Sequence, residues 1–246
     1  MGIKSRRRNS KPRRTLLCGF KWEATIYILI ILSFIFAGLE SLALWKGQRQ
    51  LEYIAKPAVM ACLFIWLYLF VGLHGAPLWF GIGVLFSLAG DIALIFINRF
   101  FMLGLSNFLL GHVAYMIGFN TPLPQTTTVW SIGLAIMIGL GSVRVLRRIV
   151  GSIRAKRQNR LVAPVIIYGT VITLMLLAAM LTFFRPDWDA TAALLVSFGA
   201  ATFYLSDIVL AWHRFVSPIK NGRMINIGMY HLAQIMIVVG VGIQFG

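Results

Sequence analysis

Apolar residues run along this chain in long blocks, broken by short polar stretches rather than alternating with polar positions at a helical or strand period. A hydrocarbon core of about 30 Å takes roughly 20 apolar residues per helix. On that ruler the pattern predicts eight spans: Trp22–Leu44, Ile54–Leu73, Pro77–Ile97, Phe101–Phe119, Thr128–Leu146, Val162–Phe184, Ala190–Trp212 and Ile225–Phe245. Helices are required because each span must satisfy its own backbone hydrogen bonds where no water is available. Pro57, Pro77 and Pro164 fall in expected first turns, where proline costs least. The runs His74–Ala76 and Asn98–Phe100 are short links, which force antiparallel neighbours. Arg147–Arg160 reads as the longest polar insert. The fold class expected is therefore an all-α integral membrane protein, an eight-span transmembrane helix bundle. A basic, disordered tail over residues 1–21 would precede a single transmembrane domain over 22–246.

Composition supports this picture. Of 246 residues, 59% are hydrophobic and only 12% charged, against about 25% charged in a soluble domain. The net charge of +16 would suggest nucleic acid in a soluble protein. Here Lys and Arg sit in the tail and between apolar blocks, as loops against anionic headgroups do, so no nucleic-acid partner is expected. Arg6 stands where a myristoylation motif needs Ser or Thr. Cys18 and Cys62 have no metal or redox spacing. Sidedness stays open: the basic tail and the basic links on the opposite face both draw towards the cytoplasm.

A 4+4 parallel repeat is compatible with the sequence. Asp91-Ile92-Ala93-Leu94 precedes Arg99-Phe100 and Asp207-Ile208-Val209-Leu210 precedes Arg214-Phe215; Tyr115 lies fifteen residues after Phe100, and Tyr230 fifteen after Phe215.

Ionisable residues inside the spans carry the candidate chemistry, because a charge at membrane depth costs at least about 2.5–3.5 kcal/mol. Asp91 and Asp207 each sit in the last two turns of a span ending at the same face. Lys56, Tyr168 and Tyr230 lie early in spans that start there, Arg99 and Arg214 cap it, and His112 is deeper. Ser87 and Asp91, His112 and Tyr115, Tyr204 and Asp207, and Tyr230 and Gln234 are each three or four residues apart, so each pair shares a helix face. The pattern predicts a polar pocket open to one interface. Structural roles compete with it: a Lys56–Asp91 ion pair between helices, or interhelical hydrogen bonds from His112, Tyr115, Tyr230 and Gln234. His231 lies about 100° round the helix from Tyr230 and points elsewhere.

Lys56-Pro57, Leu88-Ala89-Gly90-Asp91, Leu110-Gly111-His112-Val113-Ala114-Tyr115, Ser206-Asp207 and Tyr230 with Ala233-Gln234 occur in an order and spacing that resembles the YhhN-like lysoplasmalogenases over about residues 25–245. The resemblance implies hydrolysis of the vinyl ether bond of lysoplasmalogens to a fatty aldehyde and glycerophosphocholine or glycerophosphoethanolamine, with no metal and no cofactor. A lysophospholipid would be the substrate, with membrane lipids around it. The membrane would be the cell membrane of a bacterium or the endoplasmic reticulum of a eukaryote. The oligomeric state is not legible.

Such chemistry needs a neutral acid to protonate the alkene carbon and an anion to stabilise the oxocarbenium ion, the arrangement used by paired carboxyls in glycosidases. Asp91 and Asp207 are the expected pair, with His112 orienting water or assisting proton transfer. Tyr115 and Tyr230 would hold the glycerol and hemiacetal oxygens, and Lys56, Arg99 or Arg214 would meet the phosphate. Ser87, Tyr168 and Gln234 complete the expected substrate contacts. The alternatives are a lipid or small-molecule transporter, an intramembrane aspartyl protease (whose Gly-x-Gly-Asp is broken by Leu88), a metal hydrolase on Asp91, His112, Asp207 and His231, and a non-catalytic lipid-binding protein.

Overall fold

The computed structural model describes residues 14–123 and 129–246, so the basic tail before Arg14 lies outside the described residues. Among the described residues there are eight long helices and no strands. These are α1 (Arg14–Lys46), α2 (Arg49–Phe70), α3 (Ala76–Ile95), α4 (Ile97–Phe119), α5 (Val129–Ala155), α6 (Val162–Leu181), α7 (Ala190–Ala211) and α8 (Gly222–Phe245). Each contains a stretch long and apolar enough to cross a membrane, and the chain is a multi-pass membrane protein.

Four boundaries differ from the sequence reading. Helix α1 begins at Arg14, so residues 14–21, expected in the tail, are helical. Helix α2 starts at Arg49, which moves Pro57 from the expected first turn into the helix interior, where its missing N–H frees the carbonyl of Tyr53. The turn between α3 and α4 is at Phe96, not Asn98–Phe100, and α4 kinks at Phe100 instead. The expected insert Arg147–Arg160 is helical as far as Ala155. Arg and Lys are good helix formers, so α5 runs past the apolar block and leaves only a short turn before a single 3₁₀ turn at Asn159–Leu161.

Lipid tails are as apolar as leucine, so these helices associate by close packing and hydrogen bonds rather than by a hydrophobic drive. Two hairpins form the centre. In α3–α4, glycines seven apart on α3 (Gly83, Gly90) open holes for Tyr115 and Phe108, and Gly111 approaches the carbonyl of Gly83 so closely that a Cβ would lie 3.2 Å from it. In α7–α8, a Cβ on Gly199 would stand 3.0 Å from the carbonyl of Ala233, and one on Gly240 3.1 Å from that of Ala192. Val59, Met60, Leu63, Phe80, Tyr115, Phe203 and Ile237 fill the space between the hairpins and α2. Helix α5 is peripheral and packs on α6 and on the π-helical turn Trp212–Val216 that extends α7.

The face away from the ends of α3 and α7 is tied by one arginine. Arg185 donates to the carbonyls of Phe119 (2.6 Å) and Pro122 (3.1 Å) and forms a two-point pair with Asp187, at 2.6 and 3.1 Å. Asp189 caps α7 by accepting from the backbone N–H groups of Thr191 and Ala192. The hydrogen bond from Arg185 holds the Asp187 carboxyl below its usual range. Its contribution is complete above the ordinary aspartate value of about 4 and fades as pH falls below it. Asp187 is exposed, so solvent screens the pair and the larger effect comes from the two carbonyls. Arg185→Gln should cost roughly 1–3 kcal/mol and lower the melting temperature of the purified protein at neutral pH.

Candidate active site

A cavity lies among α2 to α8, with about 1030 Å³ of space between protein atoms, part of it open to the outside. Leu105, Phe108, Leu146, Ile149 and Ile172 supply apolar wall. Lys56, Asp91, Tyr168, Asp207, Arg214 and Tyr230 also line it, so six of the residues singled out in the sequence share one space. Both aspartates reach it because each lies about a turn before its α-helix ends, Asp91 before Ile95 and Asp207 before Ala211. The helices that face them begin at the same level.

The two carboxyls have unlike partners. Asp91 is buried, accepts from the Tyr230 hydroxyl at 2.7 Å and has the Lys56 ammonium 3.4 Å from its other oxygen. The ion pair between α2 and α3 considered from the sequence is therefore formed, and it sits in the cavity wall. Asp207 accepts a hydrogen bond from Tyr168 on α6. His112 Nε2 is 3.0 Å from that tyrosine oxygen and 3.6 Å from the Asp207 carboxylate. Helix α4 thus brings His112 to the cavity through Tyr168 rather than as a lining residue.

Aromatic rings connect the two carboxyl sites. Phe203 packs edge-on against His112 (4.8 Å between centroids) and against Tyr230 (5.3 Å), and Phe108 packs on Phe203 and Tyr230. These contacts fix the rings whose polar atoms address the aspartates.

The remaining sequence candidates lie elsewhere. Tyr115 donates to Gln234 at 2.6 Å, and Gln234 donates to Ser87 at 3.0 Å. This buried string ties α4, α8 and α3 together one turn from Asp91 and Tyr230, and its members do not line the cavity. Arg99 is exposed, stands 5.2 Å over the Phe100 ring, and is not part of the lining. Arg214 does line the cavity, with its guanidinium 4.0 Å over Phe101; among the described residues no carboxylate pairs with it. The hydrogen bonds also cross the expected repeat: Tyr230 serves Asp91, whereas Tyr115, its counterpart, serves Gln234 and not Asp207.

Asn226 and Ser142 were not singled out by the sequence. Asn226 donates to the Ser206 carbonyl and hydroxyl, each at 2.9 Å, and Ser206 donates back to the Asn226 carbonyl at 3.1 Å. This clasp joins α7 to α8 beside Asp207, and the signal for it was Asn226 lying one turn before Tyr230. Tyr204 donates to Ser142 on α5 at 2.8 Å, closing the wall there. His231 faces away from Tyr230's partner and pairs with the buried Glu40 of α1. No group of three His, Cys, Asp or Glu among the described residues is placed to share a metal ion.

Residues 51–241 match the model of the YhhN family. The chain is similar to lysoplasmalogenase TMEM86B of Mus musculus, 28% identical over 202 residues, covering 79% of this chain and 78% of that protein. It is similar to lysoplasmalogenase TMEM86B of Homo sapiens, 27% identical over 207 residues, covering 79% and 78%. No solved structure matches it. With the family's model spanning α2 to α8, and so every helix that lines the cavity, this multi-pass membrane protein belongs to the YhhN family.

Proposed function

We propose that this protein is a lysoplasmalogenase-like hydrolase that cleaves the vinyl ether bond of a lysoplasmalogen, releasing a fatty aldehyde and glycerophosphocholine or glycerophosphoethanolamine. The observation that carries the reading is that two carboxyls with different partners line one mostly apolar cavity in a chain whose curated relatives bear that activity in their names.

An apolar site favours the neutral form of a carboxyl, and a vinyl ether needs a neutral acid to protonate its outer alkene carbon. The positive charge that develops next to the ether oxygen needs an anion within the same space. A pair of carboxyls in unlike surroundings meets both needs. The alkenyl chain would lie along Leu105, Phe108, Leu146 and Ile172, and the phosphate would meet Arg214, the lining guanidinium without a carboxylate partner among the described residues. A guanidinium binds phosphate through two parallel N–H donors. Lys56 is engaged by Asp91 and serves the phosphate less well.

The test is aldehyde release by purified protein from lysoplasmenylcholine beside its saturated alkyl-ether analogue. Release from the vinyl ether alone is expected, because the analogue has no double bond to protonate. Equal cleavage of both would overturn the reading. Arg214→Ala should raise KM on the order of tenfold with kcat little changed, the pattern of a lost contact made equally in ground and transition states.

A further inference from the structure

We infer that Asn226 recognises the free sn-2 hydroxyl of the lysophospholipid: its amide oxygen accepts a hydrogen bond from that hydroxyl and so selects the lyso form over a lipid acylated at the same carbon. This rests on the hydrolase reading above and deepens it by naming the residue that reads the glycerol.

Asn226 and Ser206 both belong to the cavity wall, and the partners of the Asn226 amide fix its orientation. The Ser206 carbonyl can only accept, so the end of the amide that stands 2.9 Å from it is the nitrogen. The same nitrogen donates to the Ser206 hydroxyl at 2.9 Å, and that hydroxyl donates to the Asn226 backbone carbonyl at 3.1 Å. Both N–H groups of the amide are therefore engaged within the clasp. The side-chain oxygen is the group left over, and among the described residues nothing donates to it. Because the clasp ties two helices together, this acceptor is held in place before a lipid arrives, which lowers the ordering cost of binding.

Its depth suits the glycerol. Asn226 lies one turn into α8, and Tyr230, which donates to Asp91, lies a turn deeper. The clasp sets Asn226 level with Ser206, and so beside Asp207. Arg214 stands about two turns further out along α7 and its π-helical extension, roughly 10 Å at about 1.5 Å per residue. From inside outwards the wall presents a carboxyl, an amide acceptor and a guanidinium. A lysoplasmalogen presents, in the same order, its alkenyl ether, its sn-2 hydroxyl and its phosphate.

Other polar groups of the wall serve this hydroxyl less well. Lys56 and Arg214 only donate. Tyr168 and Tyr230 address the aspartates. Tyr204, which bonds Ser142, lies about a turn deeper than Asp207, towards the alkenyl chain. The carboxyls face the ether in the reading above. An sn-2 ester has no proton to give. Its oxygens would meet the Asn226 oxygen acceptor to acceptor and leave it unpaired, which is how a site built for a hydroxyl rejects a lipid that lacks one.

The experiment measures kcat/KM for aldehyde release by the purified full-length protein from lysoplasmenylcholine and from its 2-deoxy analogue, at equal mole fraction in the same detergent micelles. The analogue lacks only the hydroxyl oxygen, so poorer cleavage cannot come from steric exclusion. The wild type is expected to prefer the hydroxyl lipid by roughly tenfold, the scale for an acceptor left without its donor. Asn226→Leu and Asn226→Ala should cleave the two lipids within about twofold of each other. The preference is a ratio taken within one protein, so a variant with a smaller folded fraction still reports it. Ser206→Ala removes the hydroxyl arm of the clasp but keeps the carbonyl that orients the amide, and should retain the wild-type preference. Equal cleavage of both lipids by the wild type, or the wild-type preference kept in the Asn226 variants, would overturn the assignment and leave the hydrolase reading intact. No aldehyde from either lipid would instead remove the hydrolase reading, and the assignment with it.

Discussion

Asp91→Asn, with Lys56 left in place, is expected to damage both stability and turnover, and removal of Lys56 as well is expected to restore only the first. The pair is almost wholly inside the protein, with side chains 7% and 1% exposed and 3.4 Å apart. Breaking a buried pair by neutralising one partner leaves the other charge uncompensated, at about 3–5 kcal/mol. Replacing both partners by neutral groups of similar size removes that penalty and can be nearly neutral. Thermal melting should therefore show a large drop for Asp91→Asn and near-recovery for the Lys56→Met/Asp91→Asn protein. Turnover should remain down by about 10²–10³-fold in both, the scale for loss of one preorganised charge facing a developing opposite charge. A double variant with full turnover would show that the carboxylate holds helices together and does nothing to the substrate.

Gly199→Leu is expected to be among the most damaging substitutions made outside the cavity. A Cβ at this position would lie 3.0 Å from the Ala233 carbonyl and 3.1 Å from the Ile237 amide nitrogen, and both are backbone atoms of α8 that cannot yield separately. The helices must part. Overpacking of this kind costs about 1–3 kcal/mol, and more where backbone has to move. It also reaches the cavity, because Asp207 lies two turns along α7 from Gly199 and the Ser206–Asn226 clasp bridges the same two helices. The melting temperature and kcat should fall together. Gly133→Leu on α5 is the matched control: nothing stands within 4 Å of its Cβ position, and a leucine facing lipid should leave both unchanged.

The spans were legible in the sequence because the bilayer sets their length, and all eight are present. Their ends were less so. The Arg147–Ala155 stretch looked like a loop by charge, yet a helix can carry charge once it leaves the hydrocarbon. Pro57 looked like a first-turn residue because the polar turn before it, Arg49–Tyr53, was counted as link. The depth of Asp91, Asp207, Lys56, Tyr168 and Tyr230 could be read by counting residues from helix ends, and the cavity gathers those five. Which tyrosine serves which aspartate could not be read, since that depends on the order of helices in space. Tyr230 and Tyr168 are each placed by a neighbour that the chain order does not reveal. Ser87, Tyr115 and Gln234 had the right spacing, and only packing shows that they bond to one another behind the cavity wall. Glu40 and His231 could be seen as costly residues, but the contact of α1 with α8 was needed to pair them.

The central claim is that an acid in this cavity delivers a proton to carbon and that water then attacks the alkenyl side of the ether. Turnover of lysoplasmenylcholine in D₂O enriched in ¹⁸O, with the aldehyde reduced as it forms, measures both events by mass spectrometry. The account predicts one deuterium on the carbon next to the former carbonyl and no ¹⁸O in the glycerophosphocholine. Aldehyde without that deuterium, or ¹⁸O in the glycerol hydroxyl, would contradict it.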